Sequence, residues 1–242
     1  MITKHHKGSR LYKWAKCAPN IFHLAILTCL TFTLIGCGRK WKQPSDVKFN
    51  SDIEVSSGLG GKLLFSSGFI TIKDFRFDGD RERGDDVRFD YEYSSGLNVP
   101  LDLSATVSEL EFNIPQGVYK RVDIDFSVND SLGIAVNGVY EYSGGGTIPF
   151  KFQFSDSQNF EIRAENDNGG DIVLDKDVAS RVKILLDPAY WFELISIVDL
   201  DAASTVSILG ISTLLISEDV NSDIYDDVTD RVDESNLIVF NY

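Results

Sequence analysis

The feature that most constrains this chain is a period-two alternation of apolar and polar side chains, running with few interruptions from about residue 63 to residue 186. Successive side chains of a β-strand point to opposite faces, so such alternation makes one buried face and one wet face. Phe75, Phe77, Val87, Phe89, Tyr91 and Tyr93 all have odd numbers and are interleaved with Arg76, Arg88, Asp90 and Glu92. The polar stretch 78–86 between these runs contains two glycines, and together they predict a hairpin. The pattern continues through Leu97–Leu103, Leu110–Ile114, Val122–Val128, Ile134–Val136, Tyr140–Tyr142, Ile148–Phe154, Phe160–Ile162 and Val182–Leu186. Its breaks are rich in Gly, Pro, Asn and Asp, which places hairpin tips at Asn129-Asp130, Gly144 and Asn168-Gly169. About ten short strands of this kind predict an antiparallel β-sandwich, with a closed β-barrel as the second choice.

The C-terminal fifth has a different pattern. Asp187 before Pro188 predicts a capped short helix through Trp191, and Ile208–Ile216 reads as a strand. Asn221 or Ser222 can cap a helix that stacks Ile224, Val228 and Val232 on one stripe, and Leu237–Phe240 reads as a last strand. The expected fold is therefore mainly β with one or two short helices near the C-terminus.

The N-terminus is organised for export. Residues 1–20 hold Lys4, Lys7, Arg10, Lys13 and Lys16 with no acid, and residues 21–36 form an apolar run without a formal charge. A bilayer-spanning helix needs about 20 apolar residues, so this shorter run fits a signal peptide better. It ends in Leu34-Ile35-Gly36-Cys37, which resembles the lipobox of bacterial lipoproteins. The resemblance implies cleavage before Cys37 and acylation of that cysteine. Several acyl chains give anchoring that one chain cannot. The residues after it, Gly38-Arg39-Lys40-Trp41-Lys42, lack the aspartate of the family's inner-membrane retention signal and are basic. That implies the outer membrane, with the periplasmic face favoured over the cell surface. The layout also looks like that of small β-rich envelope lipoproteins of the Bacteroidota type. The resulting organisation is a signal peptide over 1–36, a lipidated N-terminus and flexible tether over 37–60, and a β-sandwich over 61–242.

Cleavage would change the chemistry of the chain. His5, His6, His23, Cys17 and Cys29 all precede Cys37, so the remainder has no histidine and no second cysteine. That excludes Ser-His-Asp and Cys-His catalysis, imidazole metal sites and disulfides. The formal charge moves from −14 to −19, which disfavours nucleic acid and acidic partners.

Three candidate constellations remain. Asp219, Asn221 and Asp223 match the opening of a calcium loop, but Ile224 stands where that loop needs glycine, and acids at a helix start explain the same residues. Tyr91, Tyr93, Tyr140, Tyr142 and Trp191 could stack on a glycan or fill the core, and the parity of Tyr91 and Tyr93 favours the core. No carboxylate pair is singled out for hydrolysis. The expected function is a lipid-anchored binding or structural module of the cell envelope without catalysis and without a cofactor. Its partners would be the membrane and a glycan or envelope protein. A glycan-binding or glycan-processing accessory and a calcium-stabilised adhesin-like domain are the alternatives.

Overall fold

The computed structural model describes residues 42–53, 57–102, 107–128, 131–234 and 236–241. Residues 43–242 cluster as one compact unit. The chain is mainly β, with curled sheets forming a half-barrel and a few short helices near the C-terminus.

The organising element is β3 (Leu63–Arg81), a 19-residue strand that extends about 60 Å at ~3.3 Å per residue. One edge of β3 pairs with two strands in succession: β6 (Gly117–Val128) lies along its second half and β7 (Ile134–Glu141) along its first. Next to these, β8 (Thr147–Phe154) pairs with β7 and β9 (Gln158–Arg163) pairs with β6. The three interruptions fall at one level. The register of β3 shifts between Ile72 and Asp74, where Val128 ends β6 and Gln158 begins β9. Bulges and breaks aligned across neighbouring strands are what lets a sheet bend. On the other edge of β3, β4 (Val87–Pro100) closes the hairpin expected from the 75–93 alternation, pairing Phe77 with Phe89 and Phe75 with Tyr91. The short β2 (Ser57–Gly58) pairs with the start of β3.

A five-stranded sheet packs over the second half of β3. Its order is β10 (Glu165–Asn166), β15 (Leu237–Asn241), β12 (Ser180–Leu186), β1 (Pro44–Ile53) and β5 (Glu111–Pro115). The shared core is aromatic. Phe49 of β1 meets Phe75 edge-on at 5.1 Å between ring centroids, and Phe75 stacks on Phe112 at 5.1 Å. Such pairs add to the free energy of area burial. Over the first half of β3 the lid is helical: α1 (Pro188–Trp191) sets Phe192 against Phe65, Phe150 and Phe152. Asp187 caps α1 as expected, its carboxylate accepting from the amides of Ala189 and Tyr190 at 3.1 and 3.2 Å. The larger sheet ends in a hairpin of β13 (Thr205–Ile208) and β14 (Ile211–Ile216), and β11 (Ile172–Leu174) pairs with β6.

The mainly-β class with short C-terminal helices is what the alternation led one to expect, and some details differ. The pairs β1–β12, β8–β14 and β10–β15 are parallel. Residues 44–53, which composition placed in the tether, form β1, an interior strand between β12 and β5, with Val47 and Phe49 buried. Gly144 lies at the tip of the β7–β8 hairpin, but the Asn168-Gly169 turn joins β10 of one sheet to β11 of the other. A helix not expected from sequence, α2 (Ile197–Ala202), follows α1, and α3 (Ser222–Thr229) buries Ile224 and Val228 as expected. Cys37 and Asn129-Asp130 lie outside the described residues.

Candidate functional site

The polar positions of the alternation become a site only when four strands lie side by side. Across β4, β3, β6 and β9 the register brings Glu92, Asp74, Ser127 and Asn159 into one row on the outer face. The next row is Asp90, Arg76, Asp125 and Glu161, and the third is Arg88, Asp78, Asp123 and Arg163. Cross-strand pairs of opposite charge stabilise such an exposed face only modestly.

Every cation of these rows is already engaged. Arg76 pairs with Asp125, Arg88 Nε with Asp78 at 3.0 Å, and Arg163 Nε with Asp123 at 2.8 Å. Ser127 Oγ donates to Asp74 at 2.7 Å. Asp90, Glu92 and Glu161 have no ion-pair partner among the described residues. The first two rows line an open trough of about 370 Å³. It offers acceptors held around one central guanidinium, and its free charge is negative. This grid is not visible in the linear sequence, because each strand contributes only alternate residues and the rows appear only with the register.

The five aromatic candidates do not form one surface. Tyr140 and Trp191 are fully buried. Tyr142, just past the end of β7, stands edge-on to Tyr140 at 5.3 Å. Tyr93 is half-buried and donates its hydroxyl to the Glu109 carbonyl at 2.9 Å. Tyr91 is 49% exposed, yet its ring lies on the inner side of edge strand β4, 5.1 Å from Phe112. Of the five, only Tyr91 is among the residues lining the trough, where it joins the buried Phe75, Phe126 and Phe160.

The calcium candidates are also separated by their bonding. The carboxamide of Asn221 sits at the open base of the β13–β14 hairpin. Its Nδ2 donates to the carbonyls of Ser204 at 2.9 Å and Leu215 at 2.6 Å, and its Oδ1 accepts from the Ser204 amide at 2.8 Å. Asn221 is thus a strap between chain segments, with its oxygen occupied. Ser217 and Val220 exchange backbone bonds of 2.9 and 3.1 Å, a tight turn that leaves Asp219 exposed, and Asp223 lies exposed in the first turn of α3. Among the described residues no group of three or more His, Cys, Asp or Glu is placed to hold a metal ion.

One further polar contact joins layers. The buried Tyr140 hydroxyl donates to Asp201 Oδ1 at 2.7 Å, and the Ser143 amide donates to the same oxygen at 3.2 Å. Burial, and then the bond to Asp201, pushes the tyrosine well above its usual range; bonds from Ser143 and then Tyr140 hold the carboxyl below its own.

Fold and site together define a curled β domain with a charged outer face and a helix-capped aromatic core. Comparison with protein-family models, with curated proteins and with solved structures finds no match.

Proposed function

We propose that the protein is a bacterial lipoprotein of the outer membrane, anchored through acyl chains on Cys37, whose β domain is a non-catalytic binding or structural module of the envelope. The observation that supports this most is how soon after the lipobox the folded unit begins. Gln43 is the sixth residue past Cys37, and its carbonyl already accepts from the Gln116 amide at 2.8 Å. Arg81, the last residue of β3, donates to the Gln116 carbonyl. Six residues span at most about 20 Å. A lipid on Cys37 would hold the Arg81 end of β3 close to the bilayer and leave the charged rows above it free to meet a partner. No helix of the described residues is long and apolar enough to cross a membrane.

The test is fractionation of cells making the wild-type chain and Cys37→Ser. The wild type should sediment with membranes and be released by detergent as a shortened form, whereas the variant should accumulate at precursor length. Identical size and partitioning of the two would refute acylation at this cysteine.

A further inference from the structure

One free edge of the larger sheet, that of β13, lies in a long uncharged segment. Residues 202–217, from Ala202 to Ser217, contain no charged side chain, the longest such run in residues 43–242. They form the β13–β14 hairpin, and among the described residues no strand pairs with the outer edge of β13. Edge strands are normally protected by charge, proline or a bulge. Of the other edges, β4 carries Arg88, Asp90 and Glu92, β9 carries Glu161 and Arg163, and β5 carries Glu111 and Pro115, while β11, Ile-Val-Leu, is uncharged as well but only three residues long. β13, Thr-Val-Ser-Ile, has none of these protections.

The tip of the hairpin is costly for an isolated molecule. Leu209 and Gly210 have φ of 51° and 81°, the two left-handed positions of a type I′ turn, where Asn-Gly is the favoured pair. A leucine there is strained, and it is 98% exposed. On the outer face a row with three exposed apolar residues leads across the sheet toward this edge. Leu64 (51% exposed) pairs with Val139 (39%), and Val139 with the exposed Pro149. The polar Thr213, buried with its hydroxyl on the Ile211 carbonyl, follows by the register of β14 on β8, and the half-buried Val206 pairs with it. Ile211, 57% exposed, lies beside it.

We propose that β13 is a homodimer interface at which two copies of this chain pair their edges antiparallel about Val206. The backbone is self-complementary in that register. In a two-residue hairpin the flanking pair, Ile208 and Ile211, exchanges both of its bonds, so the donors and acceptors alternate along the strand. The amides and carbonyls of Ile208, Val206 and Ser204 then face β14, as Asn221's bonds to both backbone groups of Ser204 attest. Those of Thr205 and Ser207 face outward. Antiparallel pairing about Val206 sets Thr205 against the partner copy's strand position 207 in both directions, giving four new backbone bonds. It also places the two copies of Val206 opposite each other, an apolar cross-strand pair on the dyad. Charge selects the same place: two domains of strongly negative net charge repel wherever acids meet, and this edge brings none together. Isologous pairing of this type is the commonest form of dimer.

The experiment is sedimentation velocity of the full chain at micromolar to tens of micromolar concentration, with Ser207→Pro and Val206→Lys in parallel. The wild type should sediment as a dimer and both variants as monomers. Ser207→Pro removes only an outward amide, so its melting temperature should stay close to that of the Val206→Lys variant. Should the proline variant fail to fold, Val206→Lys alone decides the outcome. Val206→Cys should in addition form a disulfide-linked dimer on mild oxidation, which Leu194→Cys, exposed on the helical side, should not. A monomeric wild type, or a dimer that survives both substitutions, overturns the proposal. So does a monomer that binds phosphatidylglycerol vesicles through Leu209, because the hairpin would then be a lipid-contacting tip.

Discussion

The Tyr140 hydroxyl reaches Asp201 Oδ1 at 2.7 Å and thereby ties β7 of the larger sheet to helix α2. Burial favours the neutral tyrosine, and the bonds from Ser143 and Tyr140 favour the ionised aspartate, so this pair links stability to pH at two ends. The Asp201 contribution is full above the ordinary carboxylate value of about 4 and is lost as pH falls through it toward the lower folded value. The Tyr140 contribution is full below the ordinary tyrosine value of about 10 and is lost as pH rises beyond it. Urea midpoints measured across pH should show Asp201→Asn with a shallower acid limb and Tyr140→Phe with a shallower alkaline limb. At neutral pH, Tyr140→Phe should cost about 1 kcal/mol, one net hydrogen bond.

Phe152 is fully buried between Phe192 at 5.6 Å, Trp191 at 6.1 Å and Tyr225 at 6.1 Å, joining β8 to the helical cap. Phe152→Ala should cost about 3–5 kcal/mol in chemical denaturation, because the surrounding rings are fixed by two helices and a sheet and cannot close the cavity. A loss under about 1 kcal/mol would mean that the cap is not packed as described.

Asn221 combines a left-handed backbone, φ 57°, with three side-chain bonds to Ser204 and Leu215. Asn221→Gly keeps the backbone conformation and loses the bonds, whereas Asn221→Ala loses both. The expected order of stability is wild type, then Gly, then Ala, with the alanine variant down by about 2–3 kcal/mol. Millimolar calcium should leave the wild-type melting temperature within a degree, since the Asn221 oxygen is already taken. A rise of several degrees would restore the cation reading.

Gly138 lies where β3 and β7 approach closely, and a Cβ there would run into the Leu64 carbonyl. Gly138→Ala should destabilise by about 3 kcal/mol through forced separation of the strands, while Gly144→Ala, with open space around it, should be close to neutral. At the other hairpin, Leu209→Asn should raise monomer stability by up to about 1 kcal/mol by relieving the left-handed leucine. Thermal melts of the three variants check these together.

Much of the fold was legible because a sheet buried on one face imposes alternation directly. The 75–93 hairpin, the Gly144 tip and the Asp187 cap followed from residues adjacent in sequence. The parallel β1–β12 pair did not, since its partners are about 130 residues apart and nothing local fixes the direction of pairing. β1 itself was obscured by Pro44-Ser45-Asp46, residues typical of a linker, although Val47 and Phe49 suffice to bury it. Tyr140 and Tyr142 share a parity, yet the helical cap buries one fully and the other partly, and a distant element's coverage leaves no trace in a strand's own pattern. The charged rows were present as the wet half of the alternation. Their alignment across four strands is a property of register alone.

Whether Cys37 holds this domain at a membrane is tested most directly by intact-mass and peptide mass spectrometry of the protein taken from the membranes of its own cells. The expected species is a mature chain beginning at Cys37, lacking residues 1–36 and carrying the mass of a diacylglyceryl group with or without a further acyl chain. A chain that retains Met1–Gly36, or that carries an unmodified Cys37, would contradict it.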